Sequence, residues 1–209
     1  MDERRITFTS GTLTLEGLLA IPAGGPVRGG VVCHPHPLYG GTMYNNVVEA
    51  VLEAMWRLGW ATLRFNFRGV GTSEGEHGGG AGEADDARAA LEFLSSQAGV
   101  RPEGAILAGY SFGAMACARA AARISQLGGL VLVALPLRMS NKAELTALSQ
   151  PIILMAGDRD MYCPAAELKA LREELTRAQV GIIAGADHFF AGYEAELTDH
   201  LIAMMTAWR

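Results

Sequence analysis

Short, almost unbroken apolar runs recur near 29–34, 61–67, 105–110, 130–135, 151–157 and 180–184, separated by stretches of different character. Runs of this kind suit strands buried on both faces, the condition of strands in a parallel sheet. Over 43–58, 83–98, 112–126, 164–178 and 193–208, apolar residues recur at three- and four-residue spacing, which predicts helices. In the last of these Leu197, Leu201, Met204 and Met205 share one side, while Glu194, Asp199 and Arg209 lie elsewhere. Strand and helix alternating toward the carboxyl end imply an α/β fold with an open, mostly parallel, doubly wound sheet, because each parallel pair needs a crossover. The opening differs: from Arg5 to Pro22 apolar and polar residues alternate on either side of Ser10-Gly11, which predicts an antiparallel hairpin.

The chain of 209 residues has room for one sizeable core, so one domain is expected over 1–209. Half of its residues are hydrophobic and 19% are charged, enough apolar surface to offset the entropy of ordering. A net charge of −5 without a basic block argues against a nucleic-acid partner. No apolar run is long enough to span a bilayer and no apolar segment follows the charged amino terminus, so the expectation is a cytoplasmic protein with no membrane partner. Cys33, Cys117 and Cys163 are an odd number in no metal-binding spacing and are read as free thiols.

Ligands of such a sheet bind outside the carboxyl ends of the strands, so the residues closing each apolar run are the place to seek chemistry. These closures are His34-Pro35-His36-Pro37, Asn66 to Ser73, Gly109-Tyr110-Ser111-Phe112-Gly113, Gly157-Asp158-Arg159-Asp160 and Ala186-Asp187-His188-Phe189-Phe190. Gly109 to Gly113 reads G-x-S-x-G between a strand and a helix, where a sharp turn projects the serine hydroxyl and small flanking residues avoid collisions. A serine hydroxyl is a weak nucleophile at neutral pH; it needs a histidine to take its proton and an acid to hold that imidazole. His188 and Asp160 can fill those roles, in the chain order Ser111, Asp160, His188. Asp187 is a weaker candidate, because neighbouring side chains on an extended segment point apart.

The elbow GYSFG, GDRDMYCP after a later strand and GADHFF before the last helix together resemble an α/β-hydrolase over nearly the whole chain. More narrowly, HPHPLYGG, TLRFNFRGVGTSEG and ADHFF resemble small bacterial hydrolases near the dienelactone-hydrolase-like group. The resemblance selects Asp160 over Asp158 as the acid. It also implies an oxyanion hole made by the backbone N–H of Phe112 and one from the loop after the third strand. Pro35 and Pro37 have no N–H, so His36 or Leu38 must supply the second donor, and the family pattern favours His36. His34-Pro35 stands where the family commonly has His-Gly, and Asn66 replaces a usual acidic residue. Arg68 is read as tying its loop together rather than as a substrate ligand.

His34 and His36 form an H-x-H at a strand end, but a metal site needs further well-placed ligands, and none is expected. Gly69-x-Gly71 lacks the third glycine of a dinucleotide fingerprint, and no P-loop string occurs, so no cofactor is implied. His77, in a glycine-rich loop read as a mobile surface turn, and His200 are both expected to face solvent; Cys163 is read as an inert filler. Only residues 136–150 separate two strands where a cap usually inserts, so no large cap domain is expected, and the site should be open and lined by Leu38, Tyr39, Tyr110, Phe189 and Phe190. The expected substrate is a small molecule carrying an acyl group: a carboxylic ester first, then a thioester, then an amide or peptide. A non-catalytic binding protein on the same fold is the reading from another class, and monomer and homodimer both stay open.

Overall fold

The hairpin predicted by the alternating pattern is present: β1 (Arg4–Ser10) pairs antiparallel with β2 (Leu13–Ala20), Phe8 opposite Leu15. Gly11 makes the turn with φ +60, a region in which an L side chain is disfavoured. The computed structural model describes residues 2–175 and 177–208, so Met1, Thr176 and Arg209 lie outside it, Arg209 being the polar residue read at the end of the last helix.

After the hairpin, strand and helix alternate. The strands are β3 (Gly29–Cys33), β4 (Ala61–Phe65), β5 (Ile106–Tyr110), β6 (Gly129–Val133), β7 (Ile152–Gly157) and β8 (Ala178–Ile183). The helices are α1 (Asn46–Arg57), α2 (Ala81–Ser95), α3 (Phe112–Ala121), α4 (Lys142–Thr146), α5 (Ala165–Glu174) and α6 (Glu194–Met205). One eight-stranded sheet results, in the order β1-β2-β4-β3-β5-β6-β7-β8, parallel from β4 to β8.

Both faces are buried, and successive residues divide between them. Val31, Leu130, Leu132, Ile152 and Leu154 join a core with α2, α3 and α5; Val32, Val131, Val133, Ile153 and Met155 join another with α1 and α6. This is why the runs carry no alternation: a strand covered on both sides has no polar face. The helices are mostly shorter than their periodic stretches. Asn45 stops α1 on its amino side by accepting the Val47 N–H, and α2 begins at Ala81 because the Glu83 carboxylate reaches back to the Gly80 N–H.

From β3 the chain passes to β4 on one side and, two helices later, to β5 on the other. The order reverses at β3, and a crevice opens at the carboxyl ends of β3 and β5. Between β6 and β7 lie only a 3-10 turn, Leu137–Met139, and the five-residue α4, so no large cap covers it.

Candidate active site

The turn from β5 into α3 places Ser111 at the crevice. Its backbone has φ 54 and ψ −115, a strained conformation for a residue with a side chain, and its N–H donates to the Val133 carbonyl at 2.9 Å. The two motif glycines make the turn possible. A Cβ on Gly109 would strike the Gly113 backbone, and one on Gly113 would strike the carbonyls of Cys33 and His34, so α3 rests against the end of β3 only because these side chains are missing. As the first helical residue, Phe112 has no helical acceptor for its own N–H, which stays available beside the serine.

His188 Nε2 lies 3.0 Å from Ser111 Oγ, and His188 Nδ1 lies 2.8 and 3.0 Å from the two carboxylate oxygens of Asp160. A carboxylate only accepts, so the ring nitrogen facing it carries the proton and Nε2 is left to accept from the serine hydroxyl. Asp160 is buried at the end of β7, and its Oδ1 also accepts the N–H groups of Tyr162 and Cys163 at 2.8 and 2.9 Å. Asp158 is exposed and accepts the Gly185 N–H instead, a tie between two loops; Asp187 is exposed and accepts the Phe189 N–H. The Tyr110 hydroxyl donates to the His188 carbonyl at 2.9 Å, which holds the histidine loop down. Burial, with Asp160 and Asp187 nearby, raises that phenol well above its ordinary range and keeps it a donor.

Three more histidines surround this relay. His34 is fully buried with both ring nitrogens satisfied: Nδ1 donates to the Pro35 carbonyl at 2.7 Å and Nε2 accepts the Phe67 N–H at 3.0 Å, leaving nothing for a metal. His36 caps the 3-10 turn Pro37–Tyr39, its Nδ1 accepting the Leu38 N–H at 3.2 Å. The Leu38 amide is thereby engaged, which leaves the His36 amide as the candidate second donor. His77 does not face open solvent as expected. Its ring lies 5.0 Å from that of His36 and 5.5 Å from Phe112, and its Nδ1 is 2.8 Å from Glu83 Oε1, short but not aligned as a hydrogen bond. The glycine-rich loop read as mobile is tied down, because fully buried Glu83 also accepts the N–H groups of Gly78 and Gly80, each at 2.7 Å. Arg68 has the structural role expected: it grips buried Asp86 through two nitrogens.

Burial holds the His34 ring down to about 4 from its ordinary 6.5. As pH falls from about 6.5 toward 4, the unfolded chain takes up a proton that the folded ring refuses, so stability is lost over that window, and above it this group contributes no pH dependence. The loss amounts to about 3 kcal/mol at the acid end. Urea unfolding at pH 7 and pH 4 measures it: the wild type should lose more than His34→Gln, and equal losses would remove His34 as the cause.

An open cleft of about 440 Å³ lies over Ser111 and His188. Of the expected lining residues, Tyr39, Tyr110 and Phe189 border it. Leu38 stands out into solvent beside it, and Phe190 is fully buried in the core with α1 and α6. Phe190 takes φ +54, so the chain turns over between Phe189 and Phe190 and sends the second ring inward. Met115, Pro136, Met139 and Tyr162 complete the walls. Met115 was detectable, one helical turn beyond Ser111 on α3; the others come from loops, which carry no periodic signal. Cys163 is buried against the acid loop, and its thiol is raised far above the ordinary range by burial and by Asp160, which makes it a filler. Among the described residues no cluster of metal-ligating side chains occurs, and no helix is long and apolar enough to cross a membrane.

Comparison with known proteins gives a consistent picture. A family model described as an alpha/beta hydrolase domain matches residues 38–207. A solved alpha-beta serine hydrolase homologue from Coxiella burnetii is 34% identical with a TM-score of 0.89, covering 98% of each chain. A serine hydrolase described as lacking a lid, from Xanthomonas campestris, is 30% identical with a TM-score of 0.87, covering 100% of this chain and 95% of that one. An uncharacterized protein of Rickettsia prowazekii is 34% identical over 190 residues, 84% of this chain and 79% of its own.

Proposed function

Because the chain belongs to the alpha/beta hydrolase family, we propose that it is a serine hydrolase cleaving a small carboxylic ester or thioester through an acyl-enzyme. The observation that carries this reading is the unbroken relay Ser111 Oγ, His188 Nε2, His188 Nδ1 and Asp160 on the floor of an open cleft. His188 takes the serine proton as Oγ attacks the acyl carbon, and Asp160 stabilises the imidazolium that forms. The amides of Phe112 and His36 receive the negative charge that develops on the carbonyl oxygen, where one such donor is typically worth about 3 kcal/mol of barrier. His188 then returns the proton to the leaving oxygen or sulfur. Water, deprotonated by the same ring, releases the acid and restores Ser111. The cleft walls of Tyr39, Met115, Met139 and Phe189 suit an apolar arm, and the absence of a large cap suits substrates that extend out of the site.

Labelling with a fluorophosphonate, mapped by peptide mass spectrometry, tests the reading. The expected adduct is on Ser111 in the wild type and is lost in folded Ser111→Ala and His188→Ala variants. No adduct on the folded wild type would move the weight to a binding protein.

A further inference from the structure

Beside the cleft over Ser111, beyond Met139, lies a second cavity. Phe112, Met115 and Met139 wall both, and the second, of about 230 Å³, is bordered at its far end by Gly80, Arg119 and Asn141. The shared walls follow from α3, because Phe112, Met115 and Arg119 stand three and four residues apart and share one helical face. Eight residues at helical rise place Arg119 about 12 Å along from Ser111, and long helical side chains lean back toward the amino end. The guanidinium accordingly lies over the loop at Gly80, where an added Cβ would sit 3.6 Å from it. The second cavity is thus apolar on the side it shares with the cleft and carries Arg119, with Glu144 beside it, on the other.

Arg119 is also chemically unspent. Arg64 and Arg68 are each committed to a carboxylate, Glu3 and Asp86, by two side-chain hydrogen bonds of 3.0 Å or less. Arg119 has its side chain 40% exposed, and its ionic contact, with Glu144, is 4.0 Å long, beyond hydrogen-bonding distance. A cation in the last turn of α3 suits the helix dipole, but that role does not explain the cavity beside the cleft. Glu144 faces one edge of a fork with five N–H donors and leaves the others for a ligand.

We propose that this second cavity is a subsite for an anionic tail, so that the preferred substrate is an ester whose apolar arm ends in a carboxylate. The assignment rests on the serine-hydrolase reading for its chemistry and on Arg119 for its selectivity. A neutral tail can lie in the second cavity, but only an anion gains a charge-assisted hydrogen bond from Arg119.

Two measurements test it. The first compares p-nitrophenyl half-esters of adipate, suberate and sebacate with the ω-carboxamide esters of equal length. The wild type should favour the carboxylate by about tenfold in kcat/KM at one length, the size of a charge-assisted bond. Arg119→Gln should bring the ratio to near one, with p-nitrophenyl acetate hydrolysis unchanged, and Glu144→Gln should raise it. A wild-type ratio near one at every length, or a preference kept in Arg119→Gln, overturns the subsite. The second is calorimetric binding of monomethyl suberate to Ser111→Ala, with and without Arg119→Gln, which needs no turnover. Arg119-dependent binding without hydrolysis of any ester keeps the subsite and overturns the esterase reading; binding indifferent to Arg119, or none, overturns the subsite itself.

Discussion

Ser111→Ala, His188→Ala and the double variant should all fall to the same floor, about 10⁴- to 10⁶-fold below the wild type in kcat, rather than showing additive losses. The reason lies in the 3.0 Å contact between Oγ and Nε2: without the base the hydroxyl keeps its proton, and without the hydroxyl the base has no proton to take. Once either is gone, the second deletion removes nothing that still works. Asp160→Asn should cost less, about 10⁴-fold, because an amide facing Nδ1 favours the wrong imidazole tautomer while leaving the geometry in place. Alanine meets the same backbone at φ 54 as serine does, so Ser111→Ala keeps the fold and its thermal midpoint reports this. Steady-state kinetics on a chromogenic ester measures the series. Residual activity within tenfold of wild type in Ser111→Ala would show that another group is the nucleophile.

What the sequence made legible divides along physical lines. Strands covered on both faces leave continuous apolar runs alternating with helical periodicity, so the strands and the ends of β5, β7 and β8 could be located by pattern alone, whereas the order of the strands in the sheet could not. Ser111, Asp160 and His188, which the structure brings within hydrogen-bonding distance of one another, could be picked out because each follows such a run. Phe190 was misread because its neighbour Phe189 is chemically identical, and only the left-handed backbone at Phe190 decides which ring turns inward. The glycine-rich loop was misread for a related reason. Its composition signals freedom, but the constraint is supplied by a carboxylate one turn into α2, and nothing in the pattern marks Glu83 as buried rather than solvated. His77 follows from Glu83, since a loop held at Gly78 and Gly80 has little choice about where residue 77 packs. Met139 and Tyr162 reach the cleft from irregular segments, where side-chain direction is set by contacts distant in sequence.

Gly113→Ala should destabilise the protein by about 3 kcal/mol or more, far beyond the roughly 1 kcal/mol that helix propensity would lead one to expect in its favour. On an isolated helix alanine is the better residue, so the sign of the effect tests the packing directly. The added methyl would enter the space occupied by the carbonyls of Cys33 and His34, which are backbone atoms at the end of a central strand and cannot rotate away. Relief requires α3 to lift from β3. That movement would carry Phe112 with it, displace its N–H from the serine, and release the strained turn that aims Oγ at His188, so the folded remainder should also lose most of its activity. Gly79→Ala provides the contrast: it has φ +63 but nothing within 4 Å of an added Cβ, so it should cost only about 1 kcal/mol of backbone strain. Urea unfolding of the two variants beside the wild type measures both effects. A Gly113→Ala protein as stable as wild type would mean that α3 is not seated on the end of β3, and the account of how Ser111 is presented would fall with it.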